Sequence, residues 1–225
     1  MLKSLVFSLL FSLSLTSYAE IDSNHYSIGS VDIKEVEQIE SFSQPRNNKG
    51  VATDLGEVIG VIDSLIAIGK KIYPIVEAGK PVLSSDLPVT HVLPQVDDGT
   101  SDYELTLGMM ENWKYPKSRS YKITYKNFYG IEVISFTFTV HFQYGGSYEG
   151  AGKYLTGVFV SATELYVSWG FEFSAKTEVV SVTNLGTNLN PVAGLTLKLD
   201  WAAKSIVTEF NSSKVFHITG NGNIR

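Results

Sequence analysis

The feature that most constrains the fold is an alternation of apolar and polar side chains between residues 121 and 144. From Ile134 to Tyr144, large apolar residues occupy every second position, and Ser, Thr, His and Gln fill the positions between them. Successive side chains of a β-strand point to opposite faces, so this pattern predicts a long strand with one buried and one solvent-exposed face. The preceding residues 127–130 predict the turn of a hairpin. The rest of the chain must supply the opposing wall of the core.

Further segments of this kind, separated by turn-forming residues, continue along the chain. Val, Ile, Phe, Tyr and Trp are common in these segments, and Gly, Asn, Asp and Pro separate them. Roughly nine short strands of this kind predict a mainly β fold, an antiparallel β-sandwich. Besides the two arms of the hairpin, the expected strands are 89–94, 103–109, 153–160, 165–173, 178–182, 195–201, 206–210 and 215–218.

Residues 54–73 predict one N-terminal helix. Asp54 and Glu57 have the spacing of a capping box, and apolar residues from Leu55 to Val76 recur at intervals of three and four. Such a helix is apolar nearly all round, so it must be buried in protein or lie in lipid. We expect it to pack on the sandwich.

The alternative is a membrane-active protein whose helix enters lipid. Leu65 and Ile66 would then contact the acyl chains, and Lys70 and Lys71 would lie at the headgroups. An apolar helix followed by aromatic-rich strands resembles the layout of the actinoporin-type pore-forming proteins. The resemblance covers the order of elements and implies insertion of the helix, without assigning any site residue.

Residues 1–19 have the pattern of a secretory signal peptide. A lysine precedes an apolar core, and the small residues Ser17 and Ala19 lie at the third and first positions before the expected cleavage point. We therefore expect an exported protein, located in the periplasm, at the cell surface or in the medium. The expected organisation is a signal peptide (1–19), a flexible leader (20–53) and a helix-plus-sandwich domain (54–225).

Composition narrows the classes of partner. Acidic residues outnumber basic ones by 23 to 18, so the chain is not expected to bind nucleic acid. Cysteine is absent, so an exported chain of this kind must be stabilised by packing and not by disulfides.

Motifs for catalysis or metal binding are missing from the sequence. The four histidines are far apart and none has a metal-ligand spacing, and no serine lies in a nucleophile-elbow motif. We therefore expect a protein without enzymatic activity, cofactor or metal.

The glycine-rich segment 145–153 predicts a turn with candidate ligand contacts around it. Tyr144, Tyr148 and Tyr154 flank or lie within this turn, and His141 lies on the polar face of the long strand. Aromatic side chains beside a glycine turn suit a carbohydrate or a lipid headgroup. The sequence thus favours an envelope or secreted module that binds a protein, carbohydrate or lipid headgroup through its loops.

Overall fold

The structure is a computed structural model that describes residues 21–37, 57–82, 87–96 and 103–225. Within these ranges the chain forms twelve strands in two antiparallel sheets and two short helices. The prediction of a mainly β, antiparallel fold is confirmed. Neither helix is long and apolar enough to cross a membrane.

Seven strands form the first sheet and five form the second. The first sheet contains β1 (Ile28–Val36), β2 (Glu57–Ile62), β3 (Leu65–Gly69), β6 (Thr90–Pro94), β7 (Lys117–Asn127), β8 (Glu132–Tyr148) and β9 (Ala151–Val167). The second contains β4 (Ile72–Glu77), β5 (Lys80–Pro81), β10 (Phe171–Asn184), β11 (Ala193–Ser205) and β12 (Glu209–Thr219). Their orders are β1-β7-β8-β9-β6-β3-β2 and β12-β11-β10-β4-β5. The helices are α1 (Ser23–Tyr26) and α2 (Tyr103–Gly108).

The apolar faces of the two sheets share one core. The ring centroids of Phe136 in β8 and Phe173 in β10 lie 4.9 Å apart. Between the sheets, the Trp201 indole Nε1 donates a hydrogen bond of 2.8 Å to the Tyr125 hydroxyl. This bond satisfies both buried polar groups, which would otherwise destabilise an apolar core.

The predicted helix over residues 54–73 is wrong for its described part. Residues 57–77 form β2, β3 and β4, and β2 turns into β3 at Asp63 and Ser64, where Asp63 has a φ of 50°. The segment is rich in Val and Ile, whose branched Cβ favours strands, and nearly continuous apolar sequence satisfies helical and strand spacing alike. Asp54 lies outside the described residues. The order of elements that resembled the actinoporin-type proteins is therefore not found in the described part of the chain.

The expectation that one face of the long strand is exposed is also wrong. Thr137 and Thr139 in β8 are each only 4% exposed. The Thr139 hydroxyl lies 2.8 Å from the Ser120 hydroxyl of β7 and 3.0 Å from the Thr163 hydroxyl of β9. These three hydroxyls lie on the outer face of β7, β8 and β9, which we call the polar sheet face, and there they satisfy one another's hydrogen bonds.

Five further segments differ from their predicted state or add to it. Residues 206–208 connect β11 to β12 where a strand over 206–210 was predicted, and the turn predicted over 145–153 is confined to residues 149–150 between β8 and β9. Residues 103–108 form α2 where a strand was predicted. The predicted strand 165–173 is divided by a turn at 168–170. Residues 21–37, the described part of the predicted leader, contain α1 and β1, and β1 pairs with β7.

Candidate functional site

Three turns lie side by side at one end of the fold. Ile134 of β8 pairs with Tyr125 of β7 and with the last residue of β9, so the β7–β8 turn lies beside the end of β9. The chain then enters the second sheet through residues 168–170. There Phe171, the first residue of β10, pairs with Ser205, the last residue of β11. The β11–β12 turn is therefore the third turn at this end.

Large apolar side chains on these turns project into solvent. Trp169 is 83% exposed and Phe128 is 66% exposed. Single exposed apolar residues are ordinary, but a group on adjacent turns makes this end a candidate interaction surface. We call this group the aromatic end, and its members are Phe128, Tyr129, Ile131, Trp169, Ile206 and Val207.

Helix α1 and its N-cap hold the first of these turns. The side-chain oxygen of Asn127 accepts hydrogen bonds from the backbone N–H groups of Tyr129 (3.1 Å) and Ile131 (3.0 Å). Its amide nitrogen donates to the backbone carbonyl of His25 at 3.2 Å. The Tyr129 hydroxyl donates to the Asp22 carboxylate, 3.2 Å from each oxygen. The turn is thus fixed by bonds to its own backbone and to α1.

Tyr26 of α1 packs beside the second turn. Its ring centroid lies 6.2 Å from that of Trp169 and 6.1 Å from that of Phe171. Gly170 between them has a φ of 81°, and a side chain there would collide with the Tyr26 ring. Tyr26 therefore forms the protein side of the contact with Trp169, and most of the Trp169 surface stays in solvent.

Charged side chains of both signs surround the aromatic end. Lys126 pairs with Glu132 across the β7–β8 hairpin, and Lys204 lies between Glu172 and Glu209 in the second sheet. All five are exposed. Opposite charges on neighbouring strands offset one another's field, so this charged collar presents neither a strong cationic nor a strong anionic surface.

The tyrosines predicted to contact a ligand lie towards the opposite end. Tyr154 is buried, and burial raises the pKa of its hydroxyl. Tyr144 is partly buried, with the Lys117 Nζ 4.7 Å from its ring centroid. Tyr148 is partly buried and packs against the core. These side chains fill space in the fold, and their role as ligand contacts remains a prediction.

Two histidines lie on the outer face of the first sheet, bonded to hydroxyls. The His141 Nε2 is 2.9 Å from the Ser161 hydroxyl, and its ring stacks on Phe159 with centroids 4.5 Å apart. The His91 Nδ1 is 2.7 Å from the Thr156 hydroxyl. Burial lowers the pKa of each histidine to about 4. Within the described residues no carboxylate is hydrogen-bonded to His141.

These two histidines predict an acid-sensitive fold. Because their pKa values fall from 6.5 when unfolded to about 4 when folded, the unfolded chain binds more protons between these pH values. Their stabilising contribution is complete above pH 6.5 and is lost as the pH falls towards 4. Urea unfolding at a series of pH values should show a drop of a few kcal/mol. His141→Gln should flatten this dependence, and an unchanged slope would contradict the assignment.

The residues proposed for membrane contact by a helix are separated by the strand geometry. Leu65 is fully buried in β3, and Ile66 on the opposite face of that strand is partly buried. Lys70 and Lys71 are exposed in the connection between β3 and β4. These four residues do not share one apolar face.

One open groove lies outside the aromatic end. A groove of about 630 Å³ on the second sheet is lined by Glu77, Lys176, Asp200, Trp201, Asn211 and neighbouring residues. It is an open groove beside charged side chains. In the described ranges, no group of three or more His, Asp or Glu residues is placed to hold a metal ion.

Comparison with known proteins identifies no relative: no family model matches the chain, and neither a curated protein nor a solved structure matches it. The fold defines a mainly β protein of two antiparallel sheets. Because such folds support many functions, the function must be argued from the site.

The aromatic end was missed in the sequence although a signal was present. Phe128 and Tyr129 lie in a turn, where Gly, Asn, Asp and Ser are the usual residues. Trp169 precedes a glycine, but the alternation from 165 to 173 assigned it to the interior of one strand. Two or more large aromatic residues at turn positions are the signal that would have found this surface.

Proposed function

We propose that this chain is an exported, non-enzymatic β-sandwich module that binds its partner through the aromatic end. The observation that carries the proposal is the exposure of Trp169, which is 83% exposed although its ring lies beside that of Tyr26. Tryptophan and tyrosine dominate the binding energy of many interfaces because they bury large rigid surfaces.

The construction of the three turns supports binding over a purely structural role. Turns usually contain small or polar residues. Apolar side chains at these turn positions lie in solvent, so they contribute nothing to the stability of the isolated fold. The hydrogen bonds of Asn127 and Tyr129 fix the backbone beneath them. A scaffold of rigid strands that presents exposed side chains on loops is a common arrangement for recognition.

Export is part of the proposal and gives a separate prediction. Ser17 and Ala19 fit the small residues that signal peptidase requires, so the exported chain should begin at Glu20. N-terminal sequencing of the protein recovered outside the cytoplasm checks this. An intact Met1 in that fraction would contradict it.

The binding surface can be tested by thiol footprinting because the chain has no cysteine of its own. Val207→Cys places one thiol at the aromatic end and leaves the aromatic side chains intact. Leu189→Cys places a thiol in the β10–β11 turn at the opposite end, where Leu189 is 90% exposed. The rate of modification by a small maleimide is compared between purified protein and protein in the envelope fraction of its host.

We expect the envelope to protect only the thiol at position 207 from modification by the maleimide. In the envelope fraction the rate at position 207 should fall several-fold while the rate at position 189 stays the same. Equal rates at position 207 in both preparations, or protection at position 189 only, would overturn the proposal.

A further inference from the structure

We infer that the partner of the aromatic end is the interfacial region of a zwitterionic lipid bilayer, on which the module docks without spanning it. This inference rests on the proposed function and names the partner of the same surface. It differs from insertion of a helix, because the contacts come from rigid turns between strands.

The side chains have the chemistry of the membrane interface. Trp169 and Tyr129 are amphipathic rings, the residues enriched where hydrocarbon meets headgroups. Phe128, Ile131 and Ile206 add apolar surface that gains by leaving water. Together they would enter the outermost layer of a bilayer, to a depth of roughly 5–10 Å, as surface-bound segments do.

The shape of the surface suits a bilayer. The exposed side chains of the aromatic end come from three separate turns at one end of the fold. The groove of about 630 Å³ is lined instead by residues of the second sheet, such as Lys176 and Asp200. A ligand held by shape would need a concave site with convergent polar groups. A fluid interface accepts projecting side chains without such a cavity.

The charges of the collar indicate which lipid headgroups this end would contact. Its two lysines, Lys126 and Lys204, lie opposite Glu132, Glu172 and Glu209, and Asp22 adds a further carboxylate beside the first turn. An anionic membrane attracts clusters of lysine and arginine, which this end does not present among its described residues. The two lysines and four carboxylates leave this end net acidic, which disfavours an anionic surface, whereas zwitterionic headgroups offer an ammonium to the carboxylates and a phosphate to the lysines.

The test measures partition of the exported chain into vesicles of pure phosphatidylcholine by flotation. We expect the unmodified chain to float with the vesicles. Trp169→Ala and Phe128→Ala should each lower the partition coefficient about tenfold, because each removes one large apolar side chain from the contact. Leu189→Ala, at the opposite end, should bind like the unmodified chain. Adding anionic phosphatidylglycerol should not strengthen binding.

The outcomes of the flotation and footprinting experiments test the inference and the proposed function separately. No flotation of the unmodified chain, equal losses for Trp169→Ala and Leu189→Ala, or binding that requires anionic lipid would overturn it. If position 207 is protected in the envelope fraction but vesicles of either composition do not bind, the partner is a protein or a carbohydrate, and the proposed function stands without the membrane. If position 207 is not protected, the proposed function itself fails.

Discussion

Leu65→Asp is expected to destabilise the fold by about 3–5 kcal/mol, because the new carboxylate would be buried and unpaired. Leu65 lies in β3 with 0% of its side chain exposed, inside the core shared by both sheets. A domain of this kind has a total stability of roughly 5–15 kcal/mol, so this single change can remove much of it. Urea unfolding followed by tryptophan fluorescence measures the loss.

Val61→Asp provides the matched control on the neighbouring strand. Val61 of β2 is 54% exposed and lies one pair away from Leu65 in the same hairpin. A charge there stays hydrated, so the expected change is about 1 kcal/mol or less. Equal effects at the two positions would contradict the strand assignment. A helix inserted in lipid would instead leave the unfolding of the Leu65→Asp variant in water unchanged.

Phe138→Ala is expected to cost about 3–5 kcal/mol through the cavity that it leaves. Phe138 is 0% exposed, and its ring centroid lies 5.4 Å from those of Tyr121 and Phe136 and 6.0 Å from that of Phe216. The surrounding rings come from both sheets, so they can relax only partly into the space. The same urea titration gives the difference.

Phe128→Ala makes the same chemical change at the aromatic end. Its side chain contacts solvent, so its loss should alter the free energy of unfolding by about 0.5 kcal/mol or less. Comparison of the two variants distinguishes two roles of phenylalanine in this chain. Loss of Phe138 should lower stability, and loss of Phe128 should weaken binding. A Phe128→Ala variant as unstable as Phe138→Ala would show that the aromatic end is structural.

The long strands could be predicted from sequence because their alternation persists over many residues. The observed β8 runs from Glu132 to Tyr148, and the predicted arm from Ile134 to Tyr144 lies within it. Each added residue in a period-2 pattern lowers the chance that a helix would give the same sequence. Predicted segments after residue 150 also fall largely on observed strands for this reason.

The segment 57–77 could not be predicted in the same way because its pattern carries little information. A sequence that is apolar at nearly every position matches a period of 3.6 as well as a period of 2. The deciding feature is the turn at Asp63 and Ser64, which places Asp63 in a left-handed conformation. Aspartate adopts this conformation more readily than most residues, but a single aspartate is a weak signal in an apolar run.

Burial of the polar sheet face depends on contacts between strands far apart in sequence. Ser120, Thr139 and Thr163 bond across three strands, and no local pattern reveals which hydroxyls will meet. The aromatic end could not be predicted for the same reason, because its three turns come together only when the two sheets pack against each other. Sequence periodicity gives the direction of a side chain, whereas solvent exposure depends on the neighbouring strands.

The most direct test of the aromatic end as the binding surface is photo-crosslinking from a single introduced cysteine in the living host. A benzophenone attached at Val207→Cys samples the aromatic end, and the same probe at Leu189→Cys samples the opposite end. The account predicts adducts with lipid from position 207 and none from position 189. Adducts from position 189 with none from position 207 would contradict it.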